Sequence, residues 1–469
     1  MDLRKSPLTA PAGTLRLLQN ADITQGGEIQ KRPAFQYWCQ APAGSLGLCT
    51  DNNGNVYTHL PDGNAGVITP PTASAVGIIH IAQPPGDTLI RQMDHDVFNG
   101  QVYAVFVGHT AWWHYYNGVL VTQATNKGTS IRTYKEKIYG VFGRTLNFSA
   151  IGDPMTWQDP PPDGQGVVAV NNSGFINLGA NDADSENLVS MEVYYDKMAI
   201  FSNLSCQLWF LDPDKTLNQY YQTLRDAGTY APNSVRQYVA NDVYFFGTHG
   251  IRSLRARDLT MTAAVADVGS PIDPAIQDVI DTGASDYTNT QALLSPRTGR
   301  IWMVMYDKIY ILSNWASPNI SAWSVYVPEF TIDLSGVVFA DPYVVLRATD
   351  GQVFRFGSSG GLVYDSCPVK IITPFLNFDK PASFKFYQGF DAICSNDPGS
   401  VWNVQASFDP TANPSPFDQI CTLDGATVMD GRIPMSGRST HIQLQITHQA
   451  PGPATFSKLF IHYAPAETD

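Results

Sequence analysis

Charge is scarce in this chain: only 15% of its 469 residues are Asp, Glu, Lys or Arg, and the 29 basic against 42 acidic side chains leave a net charge of −13. Such a surface repels nucleic acid and anionic lipid except where a basic patch is set apart. Sparse charge with 12% aromatic residues fits either a surface largely covered by partners or a weakly soluble globular protein. No apolar run approaches the ~20 residues that cross a bilayer, and "MDLRKSPLTAPAG" lacks the apolar stretch of a secretory signal. The expectation is a chain made in the cytoplasm, without membrane insertion. Cys39, Cys49, Cys206, Cys367, Cys394 and Cys421 show no CxxC pairing, which argues against a zinc site and a disulfide framework and for buried free thiols.

Catalytic signatures are also missing. There is no GxSxG, HExxH or Walker-type loop, and the Asp-box turn of sialidases has only a loose echo in "TDNNGNVY" (50–57), which a hairpin explains better. "MDHDVF" (93–98) sets Asp94, His95 and Asp96 together; successive strand residues face opposite ways, so a polar turn is the expectation and a metal site is not. His441, His448 and His462 lack ligand spacing and read as surface or cross-strand residues. These absences predict no enzyme activity, no metal and no cofactor.

What is present is turns: 38 Gly and 32 Pro. "NGNVY" (53–57), "NGQVY" (99–103), "TGRIW" (298–302), "DGQVF" (350–354) and, more loosely, "NGVLV" (117–121) each place a Gly turn before a returning strand. "EKIYGVF" (136–142), "DKMAIFS" (196–202), "NDVYFFG" (241–247) and "DKIYILS" (307–313) keep the strand and replace the Gly with a charged residue. Taking Tyr57, Tyr103, Tyr139, Ala199, Tyr244, Trp302 and Phe354 as equivalent points, the pattern recurs about every 50 residues, close to the length of a propeller blade. A β-sandwich also alternates strands and turns, but has no reason to return to one turn-plus-aromatic pattern at that period.

Two stretches interrupt the repeat: "DPPPDGQGVVAVNNSG" (159–174) and "SPIDPAIQDVIDTGAS" (270–285), where a short helix starts near Asp273 with Pro274 in its first turn. Beyond residue 366, "SFKFYQGFDAICS", "SVWNVQASFD", "THIQLQITHQA" and "FSKLFIHYAP" alternate as half-buried antiparallel strands do. The prediction is an all-β chain: an extended N-terminal arm over 1–44, a β-propeller of six or seven blades over 45–365, and an antiparallel β-sandwich over 366–469.

Three further features point to contacts. Arg252, Arg255 and Arg257 gather in "IRSLRARD" (251–258), the last two on one strand face, solvated or ion-paired. "WWHYY" (112–116) is too crowded for one buried face, so Trp112 and Trp113 are expected to meet a protein or ligand. The polar stretch "NADITQGGEIQKRPAF" (20–35) cannot build a core, and Pro33 biases Arg32 to extended backbone.

That last stretch resembles the opening of tail hub or nozzle proteins of short-tailed bacteriophages, the group of packaged-DNA stabilisation proteins and tail tubular protein B, through Asn20, Asp22, Gly26 or Gly27, Ile29, Lys31, Arg32 and Pro33. "GRTLNFSAIGDPMTW" (143–157), the segment 173–211 and "GRSTHIQLQITHQAPGPATFSKLFIHY" (437–463) are similar to later parts of that family. The resemblance implies a structural protein of the virion tail: a ring, usually a homohexamer, below portal and adaptor. Its ring continues the DNA channel, retains packaged double-stranded DNA without reading its sequence, and offers attachment to fibre, spike or needle proteins. On this reading the arm either contacts a neighbouring subunit or the adaptor, with Lys31 and Arg32 on acidic partners, or is a first strand closing the protein's own propeller. Arg255 and Arg257 face partners, and Pro160, Pro161, Pro162 and Asp163 stiffen either a channel loop or a surface loop. The competing class is a propeller that binds or cleaves glycans, with Trp112 and Trp113 as sugar platforms.

Overall fold

A computed structural model describes residues 1–60, 67–68, 78–82, 92–107, 112–116, 120–122, 128–158, 171–180, 186–238, 242–256, 267–282, 285–295, 298–305, 307–315, 320–357, 363–395, 401–411, 416–423 and 433–466. Among the described residues seven groups of three or four strands follow one another along the chain, the sixth of them within a nine-stranded sheet, and they are the blades of a β-propeller. Their first strands are Leu46–Thr50, Gln92–Phe98, Ser130–Tyr134, Leu188–Tyr194, Arg236–Tyr238, Gln291–Ser295 and Ile332–Ala340. Each contacts the next, and the seventh contacts the first. Blades 2 to 4 are four-stranded antiparallel meanders, while blade 5 has three strands among the described residues.

Turn chemistry builds the repeat. In blade 2, Asn99 (φ 50°) and Gly100 (φ 78°) make the two left-handed positions of a tight hairpin. Blade 3 makes the same turn with Lys135 (φ 43°) and Glu136 (φ 64°), which is why the charged variants of the motif still mark hairpins. Six of the seven equivalent points fall on the second strand of their blades; Phe354 falls on the third strand of blade 7, Gln352–Phe356, because the motif there follows that blade's second strand, Tyr343–Ala348.

The core lies between blades. Phe98, Tyr103 and Ile138 fill the space between blades 2 and 3, Met191, Met198 and Phe148 that between 3 and 4, and Phe201, Leu208 and Phe245 that between 4 and 5. Trp302, Tyr326 and Leu346 join blades 6 and 7. The expected helix is present as α1 (Asp273–Asp281), with Pro274 in its first turn and Ile276 buried against blades 5 and 6.

The N-terminal segment is not a free arm. Strand β1 (Leu17–Gln19) runs parallel to the last strand of blade 6, Ile320–Tyr326, and antiparallel to Val369–Ile372, so blade 6 continues through it into one sheet of the C-terminal sandwich. A hairpin of β2 (Ala21–Ile23) and β3 (Ile29–Lys31) adds to the other sandwich sheet beside Thr455–Pro465. Strand β4 (Phe35–Gln40) is the fourth strand of blade 7, pairing with Gln352–Phe356. The closing-strand alternative therefore describes β4. Leu18 and Ala21 are buried in the sandwich core with Phe390, Trp402 and Ile446, whereas Trp38 and Cys39 pack with Leu48 of blade 1 and Val338 of blade 7, where the ring closes.

Candidate functional site

Two polar centres stand out. The first is the junction of propeller, sandwich and N-terminal strands. Asn20 takes a left-handed turn (φ 54°) between β1 and β2, which an asparagine tolerates. Its amide donates to Pro368 O at 3.0 Å in the sandwich, and its Oδ1 accepts from Val327 N at 3.0 Å and Arg32 Nε at 3.1 Å. Asp22 accepts the Tyr326 hydroxyl and pairs with Arg300 Nη1 at 2.6 Å. Lys31 Nζ donates to the carbonyls of Asp365 (2.6 Å) and Ala450 (2.7 Å); Arg32 Nη1 pairs with Asp365 Oδ2 at 2.8 Å, with its guanidinium 4.8 Å from the Phe35 ring centroid.

This geometry corrects the expected role of the motif. Lys31 and Arg32 are fully buried and their hydrogen-bond and ion-pair partners lie in the same chain. Asn20 and Asp22 are equally buried and Pro33 partly so. Together they clamp blade 6, the sandwich and the N-terminal hairpin. Burial raises the Asp22 carboxyl although Arg300, Tyr326 and Arg32 oppose it, and burial lowers the Lys31 ammonium.

The second centre is on the propeller axis. A cavity of about 390 Å³ is lined from the first strand of every blade: Thr50, His95, Arg132, Glu192, Arg236, Leu293 and Val338. Asp94, His95 and Asp96 lie on the strand Gln92–Phe98 and not in a turn. Asp94 is buried and accepts from Arg132 Nη1 and Ser130 Oγ at 2.7 Å each and Ile131 N at 3.1 Å, with Arg236 Nη2 at 3.5 Å. Burial would raise its carboxyl, but the Arg132 and Arg236 charges outweigh that and hold it at about 2. Arg132 Nε also donates to Glu192 Oε2 at 2.9 Å. Asp96 Oδ2 accepts from Thr133 N, and burial raises that carboxyl. His95 Nε2 accepts from Thr50 N at 3.4 Å, and burial lowers the imidazole to about 4, so it is neutral at pH 7. Arg132 Nη2 and Thr133 Oγ1 have no partner among the described residues. The described residues of the axis thus offer acceptors and donors to a small polar guest. Among the described residues no three His, Cys, Asp or Glu side chains group as a metal site.

The remaining candidates are dispersed. Arg255 is exposed in a helical turn that follows the strand Gly250–Ser253, not on that strand, and Arg257 lies outside the described residues. Arg252 is the ion-paired member, held by Asp273 through two bonds of 2.8 and 2.9 Å. Trp112 and Trp113 lie on the strand Trp112–Tyr116 of blade 2, opposite Phe106 and Val105. Pro160, Pro161, Pro162 and Asp163 lie outside the described residues. His448 is buried against Trp402, ring centroids 4.9 Å apart, rather than at the surface, and His462 pairs across the sheet with Asp391 at 2.7 Å. Arg132, Glu192 and Arg236, spaced widely along the chain, were not singled out by any motif; only the period of the blades could have brought them to one axis.

No family model and no curated protein matches the chain. Solved structures do. An extracellular domain of a hybrid two component system from B. thetaiotaomicron aligns at 8% identity over 78% of this chain and 44% of its own, with a TM-score of 0.42. The β-propeller domain of Swd1 from Myceliophteria thermophila aligns at 9% over 69% of this chain and all of its own (TM-score 0.38), and the Neurospora crassa Pan2 WD40 domain at 10% over 70% and 97% (0.38). The second and third are named as a β-propeller domain and a WD40 domain. This chain spans less than half of the first of these structures, and likeness at such identity concerns fold alone.

Proposed function

We propose that the chain is a structural subunit of a short-tailed phage tail, forming a ring that continues the DNA channel below the adaptor. The observation that carries this reading is a pair of exposed apolar patches on two different parts of the molecule. At one end of blade 4, Tyr195, Leu217 and Tyr221 are 42 to 55% exposed; on the sandwich, Phe384, Phe386, Ile393 and Phe460 are 45 to 51% exposed. Apolar side chains in such groups mark contact surfaces. A ring of more than two subunits needs two different surfaces that meet head to tail, since one self-complementary patch gives only a dimer. The buried clamp adds support: it ties propeller to sandwich, so force along the channel is carried by paired charges and continuous sheet. The net charge of −13 suits a conduit through which DNA slides, because a lumen rich in phosphate contacts would hold it. Negative-stain imaging and light scattering of the purified chain test the assembly, with closed rings expected at high concentration; a protein that stays monomeric with and without the adaptor refutes it.

The axial cavity favours a second reading. Asp96 and Glu192 accept, while Arg132, Arg236 and Thr133 donate, a set that takes sugar hydroxyls and fits a glycan-binding propeller. Calorimetry and turnover assays against neutral oligosaccharides distinguish the two, because a tail ring shows neither binding nor cleavage.

A further inference from the structure

A second cavity, of about 470 Å³, opens where the β2–β3 hairpin meets blades 6 and 7. Asp22 and Lys31 line it from the hairpin, Arg300 and Trp302 from the second strand of blade 6, and Tyr343 and Phe356 from blade 7. Exposed Thr298 lies at its rim, so it reaches the surface. Three properties narrow what fits. First, the Arg300 Nε–H and the Trp302 Nε1–H have no hydrogen-bond partner among the described residues, although Trp302 is 1% exposed and the Arg300 side chain 13%. Buried donors without acceptors are costly and rare in native proteins. Residues 300 and 302 are two apart on one strand, so both side chains leave the same face. Second, the charged residues that line the cavity are Lys31 and Arg300 against the single carboxylate Asp22, a surplus of one positive charge; Arg32 is paired with Asp365, and Glu329 is exposed beside Cys367. Third, the other walls are aromatic rings.

We infer that this cavity binds a small organic monocarboxylate with a flat apolar body. One carboxylate carries oxygens for both free N–H groups and balances the surplus charge, while the rings of Trp302, Tyr343 and Phe356 cover the body. A neutral molecule of the same shape leaves the charge surplus in place. A dianion overshoots it. This inference is independent of ring formation and holds for a monomer.

The test uses the purified full-length chain with benzoate as probe and benzyl alcohol as its uncharged counterpart, read by titration calorimetry and by the shift of the thermal midpoint. Benzoate is expected to bind saturably and raise the midpoint, and benzyl alcohol at equal concentration to do neither. Trp302→Phe removes one donor and keeps a ring, and binding weakens about tenfold, the cost of one charge-assisted hydrogen bond. Thr298→Trp at the exposed rim blocks entry without touching the core, so benzoate binding is lost while the ligand-free midpoint is unchanged. Absence of saturable benzoate binding, equal binding of benzyl alcohol, or undiminished benzoate binding by both variants overturns the assignment.

Discussion

Replacing Asp94 by Asn tests whether the axial ion network holds the blades together. The carboxylate is buried and receives Arg132 at 2.7 Å and Arg236 at 3.5 Å, so Asp94→Asn keeps the shape and removes the charge that both arginines face. Arg132 keeps Glu192 at 2.9 Å; Arg236 loses its carboxylate contact. Removing one partner of a buried network costs about 3–5 kcal/mol, because the remaining charge stays desolvated. An Asp196→Asn control breaks the exposed pair with Lys197 and is expected to change stability by less than about 0.5 kcal/mol. Urea unfolding at pH 7, followed by tryptophan fluorescence, reads both as midpoint shifts at constant m. Acid supplies an independent check. An unfolded aspartate titrates near 3.8 and Asp94 at about 2, so its ionisation contributes about 2.5 kcal/mol that is fully present above pH 4 and lost as pH falls through 2. The gap between wild type and variant should narrow by about 2 kcal/mol on going from pH 5 to pH 2, where folded Asp94 is still half ionised. A loss below about 1 kcal/mol at pH 7, or a gap that does not change with pH, refutes the reasoning.

Other outcomes follow from single features. His95 titrates at about 4 against 6.5 when unfolded, so the unfolded chain takes up the proton first and stability falls as pH drops from 6.5 to 4; His95→Gln should flatten that part of the profile, and an unchanged slope argues against a buried neutral imidazole. All six cysteines are free thiols, with Cys39, Cys49, Cys206 and Cys367 buried, so a thiol reagent should modify at most Cys394 and Cys421 in the native protein and all six in urea. Phe386→Ser with Phe460→Ser removes half the sandwich patch at exposed positions; rings should fall apart to folded monomers, and rings of normal size in light scattering show that the patch is not a subunit contact.

How much of this was legible depended on whether a signal was local. Hairpin turns are local: Asn99-Gly100 and the strands around it are written in adjacent residues, as is the helix at Asp273-Pro274, and all appear as expected. The strand bearing Asp94, His95 and Asp96 read as a polar turn because His95 and Asp96 line an axial cavity and Asp94 pairs with the arginines beside it, so the apolar alternation of a strand is replaced by polar and paired groups. The N-terminal stretch read as an extended arm because β1 to β3 are three-residue strands, and those that tie it to the rest of the chain, β1 and β3, pair with strands some 300 or more residues away, while β2 pairs with β3. Lys31 and Arg32 carry the charge of surface residues, and their burial is explained by partners distant in sequence, the carbonyls and carboxylate of residues 365 and 450, together with Asn20.

The central proposal, a subunit of a phage tail ring that retains packaged DNA, is tested most directly by deleting the gene for this chain from the genome that carries it and imaging the heads of any particles that assemble. If the account holds, particles lacking this chain package DNA and then lose it, leaving emptied heads with portal and adaptor in place. Heads that stay full on particles that fail only to attach to cells contradict it, and would assign the protein to receptor binding.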